Sequence, residues 1–194
     1  GFSLQICNNP VNLGIQRSRI NGLKYARGTF VLFLDQDDLI ADHALLSQYR
    51  IAQDYDIVVS NGLNENRDRD KPIYYSTAHQ KQTAYSRFYL TVGCLIASPG
   101  QCLIRKKSIP QFWEEKCIAC NGADDYLLWL LLHQGNCRWG MNPEILYTHV
   151  DTGTNLSINL DRMLNSSIEA LDLLEEAGKL TAQQSRIAKR RFQM

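Results

Sequence analysis

Phe30-Val31-Leu32-Phe33-Leu34-Asp35-Gln36-Asp37-Asp38 is the stretch on which the reading of this 194-residue chain turns. Five apolar residues run without a break into three carboxylates interrupted by one glutamine. The apolar run predicts a strand buried on both faces, as in a parallel sheet. A buried strand that ends in acids carries them at its carboxyl end, where open α/β sheets bind ligands. Neighbouring carboxylates repel, and each disfavours the other's ionisation. A hard divalent cation removes that conflict and can grip a phosphate at the same time. The expectation is a metal-diphosphate site at the tip of a central strand, with Asp37 as the most direct ligand and Asp38 also serving as N-cap of the next helix.

Upstream, Ile15, Ile20, Leu23 and Ala26 recur at helical spacing after Asn12, a natural N-cap. Gly28 stands where a helix end favours a left-handed residue. Downstream, Leu39, Ala44, Leu45, Tyr49 and Ala52 predict a second amphipathic helix. The local unit is therefore helix, turn, strand, acids, helix.

These residues resemble the inverting family 2 glycosyltransferases with the GT-A fold. The matching positions are Asn12, Gly14, Arg19, Asn21, Gly22, Ala26, Gly28, Leu34, Asp35, Asp37 and Asp38. Ser18 replaces the usual alanine, and Ile20 separates Arg19 from Asn21, so Arg17 and Arg19 compete for one role. A second matching region runs from Asn121 to Gly135 and contains Asp124-Asp125-Tyr126-Leu127-Leu128-Trp129. The resemblance implies that its second acid, Asp125, opens a helix as the catalytic base. A third region, residues 143–157, resembles the family's following strand and polar loop, and His149 is its candidate metal ligand. The likeness spans roughly residues 8–160, with a poor stretch between 61 and 90. The family's opening strands, which bind the nucleotide base and ribose, have no counterpart here, because Gly1–Ile6 reads as a later strand.

The resemblance implies an α/β fold, a Rossmann-like mixed sheet of the GT-A type flanked by helices and N-terminally incomplete. It implies a partial catalytic domain over 1–157 and a helical extension over 158–194. Donor contacts would fall to Arg17, Arg19, Asn21 and Asp35, and metal contacts to Asp37, Asp38 and His149. Mg²⁺ or Mn²⁺ would sit on the diphosphate of a nucleotide-sugar donor, a UDP-sugar first of all. The acceptor would be a saccharide or lipid-linked hydroxyl, in polysaccharide or glycoconjugate synthesis. Two alternatives stand beside this. A haloacid-dehalogenase-like Mg²⁺-dependent phosphatase also places Asp-x-Asp after a buried strand, but Leu39 occupies the position where it wants Thr or Val. A truncated GT-A domain that binds without turnover would be indifferent to Asp125. Acids in a helix's first turn also gain about 0.3–1 kcal/mol from its dipole alone, so family spacing is what favours catalysis at Asp125.

Composition bounds the rest. The length suits one domain with a sizeable core. The formal net charge of +1 gives no global case for nucleic-acid binding. The longest apolar run, Tyr126–Leu132, is far short of a membrane span. The six scattered cysteines favour a reduced, cytoplasmic setting, and Cys117-x-x-Cys120 lacks the second pair of a zinc site. Residues 57–60 read as a strand, 61–70 as an exposed loop, 80–92 as a helix and 102–104 as a strand. Arg105-Lys106-Lys107 could meet phosphate or end a strand in solvent. Trp113 could stack on a sugar or pack in the core. Leu160, Leu164, Ile168, Leu171 and Leu174 predict a helix closed by Gly178, with Thr181 capping another. That last helix carries Arg186, Lys189, Arg190 and Arg191, a basic end able to touch anionic lipid at the inner membrane face.

Overall fold

The computed structural model describes residues 3–65 and 70–192. The charged run Arg67-Asp68-Arg69, expected in an exposed loop, lies outside the described residues. In chain order the elements are α1 (Ile15–Tyr25), β1 (Phe30–Val31), β2 (Leu39–Ile40), α2 (Ala44–Ala52), β3 (Ile57–Asn64) and β4 (Lys71–Pro72). Then follow α3 (Thr77–Lys81), α4 (Ser86–Thr91), β5 (Cys102–Arg105), α5 (Gln111–Glu115), α6 (Asp124–Gln134), β6 (Trp139–His149), α7 (Leu160–Glu176) and α8 (Ala182–Arg190).

The strands make one mixed sheet in the order β1-β5-β3-β6-β2, with β4 beside the far end of β3. Among the described residues only β3 and β6 run parallel; the other pairings are antiparallel. This corrects the first expectation. The acid-tipped strand is not central: β1 holds two residues, pairs only with β5, and lies at the sheet edge. Leu34, the last apolar residue before the acids, is 43% exposed, so the run leaves the sheet before it reaches Asp35. The central strand is β3, longer than the sequence suggests, because residues 61–64 continue its ladder with β6 rather than entering a loop. The register slips between Ser60 and Gly62, opposite a stretch of β6 that contains Pro143, a residue with no N–H for the ladder.

The two faces of β3 enter different cores. Ile57 and Val59 join Cys102, Ile104 and the apolar body of α6, while Val58 and Leu103 pack with Ala52 of α2. Every residue of α6 from Tyr126 to Leu132 is buried, the pattern of a helix surrounded by protein. Ala170, Leu171 and Leu174 of α7 and Ala188 of α8 enter that same core. Gly178 (φ +66°) ends α7 as expected, and Thr181 caps α8 in a reciprocal pair with Gln184.

Other local expectations needed revision. Asp38 does not cap α2; His43 precedes that helix and Asp38 is engaged elsewhere. Leu39 lies in β2, and Leu45 and Tyr49 are exposed while Gln48 is buried, with its side-chain oxygen accepting from the Leu103 N–H. Gly28 is not left-handed; α1 ends at an extended Ala26. The 80–92 helix is broken by a 3-10 turn at Gln82–Ala84, where buried Gln80 turns inward to donate to the carbonyls of Val59 and Asn142.

Candidate active site

The acids after β1 are separated by their partners. Asp35 accepts from Arg19 at 2.6 Å and from the Ser98 hydroxyl at 3.3 Å. Asp38 is buried, and the pairing of β2 with β6 explains why: Leu39 sits opposite Thr148, which brings Asp38 alongside His149. Asp38 accepts from the Tyr147 hydroxyl and from the Val150 N–H at 3.2 Å, and its Oδ1 lies 3.1 Å from His149 Nδ1. Burial works to raise the Asp38 pKa, but the hydrogen bonds from His149, Tyr147 and Val150 outweigh it and hold the carboxyl below its ordinary range. The same bond to Asp38 raises His149. Asp37, between them, has no hydrogen-bond or ion-pair partner among the described residues.

The second acid pair opens α6. Asp124 and Asp125 fill its first turn, as the sequence predicts. The turn is held from three directions. Ser166 of α7 accepts the Ala123 N–H at 2.8 Å and donates to the Cys120 carbonyl. Trp113, fully buried, donates Nε1–H to the Asp124 carbonyl at 2.9 Å, which settles it as a packing residue rather than a sugar platform. Asn121 accepts the Ile15 N–H at 3.0 Å and so finishes the first turn of α1 from across the cleft. A Cβ on Gly14 would fall 2.4 Å from that Asn121 oxygen, and φ +82° also favours glycine there. Gln16 completes the tie by donating to the carbonyls of Trp113 and Lys116 and accepting from Ile118 N–H.

Arg19 joins the two acid pairs. Its guanidinium meets Asp35 at 2.6 Å and Asp124 at 2.8 Å, with the side chain only 12% exposed. Burial opposes its charge, but Asp124, Asp35 and Asp125 outweigh burial and keep it firmly protonated. Asp125 has no such cation in contact. Burial first, then the Asp124 charge, pushes its pKa up to about 7, against the pull of Arg19 and of the Tyr126 N–H that it accepts. The dipole at the start of α6, which favours the ionised form, is thus outweighed. Asp124 is raised as well, by burial, though Arg19 works against the rise.

These side chains share one cleft of about 920 Å³, lined by Arg19, Asp35, Asp37, Asp38, Asp125 and His149 among others. Two expected donor residues are not there. Arg17 is exposed on α1, and Asn21 donates to Asn9 in a separate hollow. Of Arg17 and Arg19, Arg19 lines the cleft and Arg17 does not, since residues two apart on a helix point to different faces. Arg105 and Lys106 serve the fold: Arg105 pairs with Asp56 over the Phe30 ring, and Lys106 donates to the Ala26 carbonyl. All six cysteines are free thiols. Among the described residues no group of three or more His, Cys, Asp or Glu side chains is arranged to hold a metal ion. Sequence reasoning missed Tyr147, Ser98 and Gln16. Tyr147 stood inside the third matching region; nothing local marked the other two.

A curled mixed sheet flanked by helices is the GT-A-type α/β fold. The chain belongs to glycosyl transferase family 2, whose family model matches residues 1–113. That stretch includes Arg19 and Asp35–Asp38 but stops short of Asp125. The match also removes the phosphatase alternative. No curated protein matches the chain. Solved structures of S. aureus TarS are similar. For TarS residues 1–349 the TM-score is 0.59 at 18% identity, over 91% of this chain and 50% of that one. For the same TarS fragment in complex with UDP-GlcNAc it is 0.60 at 17% identity, over 92% and 52%. In complex with UDP it is 0.52 at 17% identity, over 91% and 51%. The chain thus spans about half the length of these structures, and at such identity the likeness concerns the fold.

Proposed function

We propose that this chain moves a sugar from a nucleotide diphosphate sugar to a hydroxyl acceptor in one inverting displacement. The observation that carries the reading is a single cleft in which two acid sites are driven toward opposite protonation states. Asp38 is held ionised, whereas Asp125 is poised near neutral pH, where a general base works best. The Asp125 carboxylate takes the proton from the acceptor hydroxyl as its oxygen attacks the anomeric carbon opposite the leaving diphosphate. An α-linked donor then yields a β-glycoside, and no covalent nucleophile is needed. Asp37 and His149 would hold Mg²⁺ or Mn²⁺, with Asp38 orienting the imidazole through Nδ1, as carboxylates do behind metal-ligating histidines. A small protein donor set fits an ion that shares its coordination with substrate phosphates. When bound, that ion supplies charge neutralisation to the leaving nucleotide. Asp35 acts by fixing Arg19 in the cleft.

UDP-GlcNAc, present in a TarS structure of similar fold, is the first donor to try. Among the described residues no helix is long and apolar enough to cross a membrane. Polysaccharide or glycoconjugate assembly at the cytoplasmic side of a membrane would suit a saccharide or lipid-linked acceptor. Lipid contact by the basic end would fall to Arg186 and Arg190, because Lys189 pairs with Asp172 and Glu175 and Arg191 folds inward. The test is calorimetric titration with UDP, with and without Mn²⁺, on the native chain and on Asp37→Ala. Mn²⁺-dependent binding lost in the variant is expected. Silence toward every nucleoside diphosphate, also from a chain extended at the N-terminus, would overturn the proposal. Turnover of UDP-GlcNAc that ignores Asp125→Asn would overturn the assignment of the base.

A further inference from the structure

Asp125 also lines a second cavity of about 450 Å³, which meets the acid cleft at Ala97, Asp125 and Met163. Its character differs from that of the cleft. Val92, Ile96 and Phe192 make its walls apolar, and among the described residues Asp125 is the one acid and Arg191 the one cation that line it. The Arg191 guanidinium lies over the rings of Tyr126 (4.7 Å) and Phe192 (4.3 Å). Its Nη1 donates to the Tyr89 carbonyl at 2.9 Å, while its Nε–H is buried without a partner. None of the ion pairs among the described residues includes it. Arg191 is half-buried: its Nε–H is shut off from water without a partner, and no carboxylate among the described residues pairs with the guanidinium, so a bound oxyanion would satisfy both. The backbone makes room for it: a Cβ on Gly93 would sit 3.0 Å from Nη1, and φ +132° there is a glycine conformation.

We infer that this cavity is the acceptor subsite, and that Arg191 holds an oxyanion, phosphate or carboxylate, carried by an otherwise weakly polar, hydroxylated acceptor. The role as acceptor subsite rests on the glycosyl-transfer reading; the oxyanion site does not. An acceptor anchored at Arg191 would present its hydroxyl to Asp125 from the side away from the metal-binding acids. The donor and acceptor pockets would then be sorted by charge, metal and acids on one side, a single guanidinium on the other.

The test uses three hexoses that differ only at C6: glucose 6-phosphate, glucuronate and glucose, each titrated without divalent ion into ¹⁵N-labelled protein. Either anionic sugar should shift the Gly93 amide and the Arg191 Nε–H resonances, and neutral glucose should not; which anion binds tells phosphate from carboxylate. Arg191→Gln should weaken that binding about ten-fold or more, the value of one lost charge-assisted hydrogen-bond pair. Arg191→Lys, which keeps the charge, should lose less, and UDP affinity should hold in both. The native protein alone can sink the idea: three sugars binding alike, or anions shifting only resonances around Asp37, would overturn it. If the anions bind at Arg191 while no nucleotide binds anywhere, the transfer reading and the acceptor role fall together and the oxyanion site remains.

Discussion

The acids after β1 and the acids opening α6 are the same residue type in the same cleft, yet the fold treats them in opposite ways. Asp38 loses its water but receives three hydrogen-bond partners in exchange, and its pKa falls. Asp125 is half-buried beside another carboxylate with one backbone N–H in return, and its pKa climbs to about 7. Burial alone therefore says little about a carboxylate's charge; the donors that accompany burial decide it. Two acids driven apart in this way are a usual sign of divided roles, one carrying permanent charge and one exchanging a proton. Arg19 makes the division possible by pairing with Asp35 and Asp124, the first acid of each group.

Replacing Asp125 by Asn breaks the contrast outright. Transfer should fall by about 10²–10⁴-fold, the usual worth of a general base. The same variant should melt at a higher temperature than the native protein at pH 8, because an amide cannot ionise in that site; equal or lower melting would show that the site does not penalise charge. Arg19→Met attacks the link. It strands Asp124 as a buried charge and should cost about 3–5 kcal/mol in urea unfolding, with Arg19→Met/Asp124→Asn recovering most of it. A loss under 1 kcal/mol would mean the bridge is incidental. Asp38→Ala leaves the Tyr147 hydroxyl and the Val150 N–H without their acceptor, an expected loss of about 2–3 kcal/mol by the same measurement. Asp37→Ala, which removes a side chain with no hydrogen-bond or ion-pair partner among the described residues, should leave the unfolding midpoint nearly unmoved.

The contrast between the two sites also shows in pH. Transfer should rise with pH to a plateau above about 7, as Asp125 gives up its proton. Stability should move the other way. The folded state binds that proton more tightly than the unfolded chain, so the contribution is complete below about pH 4 and fades as pH climbs to about 7. Asp38 has the reverse sign: its contribution is complete above its unfolded pKa and is lost only as pH falls through its depressed folded value. A rate profile flat from pH 5 to 9 would erase the distinction between the two sites.

How much of this could be read in advance follows the reach of each signal. The acid run, α6 with its leading aspartates, and α7 with Gly178 behind it were legible because their patterns are local. The place of β1 was not, since edge or centre depends on β5, more than seventy residues downstream. Asp38 read as a helix cap because its true partner, Tyr147, is 109 residues away. Arg17 and Arg19 looked equivalent on paper, and only the folded face of α1 tells them apart. Gln16 carried no signal at all: a buried glutamine serving three backbone groups looks like any polar residue until the loop it serves is in place.

The first turn of α1 is finished by Asn121, 106 residues further along the chain. On a ribosome this sets an order of events. A nascent chain ending near residue 113 already holds the stretch by which the family is recognised, but Ile15 has no cap, Gln16 has no loop to grip and Arg19 has only one of its two carboxylates. Contacts so distant in sequence close late, after their loop entropy has been overcome. The cleft should therefore arise in one step, when the Asn121–Asp125 segment emerges and docks, and a chain released before that point would carry the acids after β1 with nothing across from them.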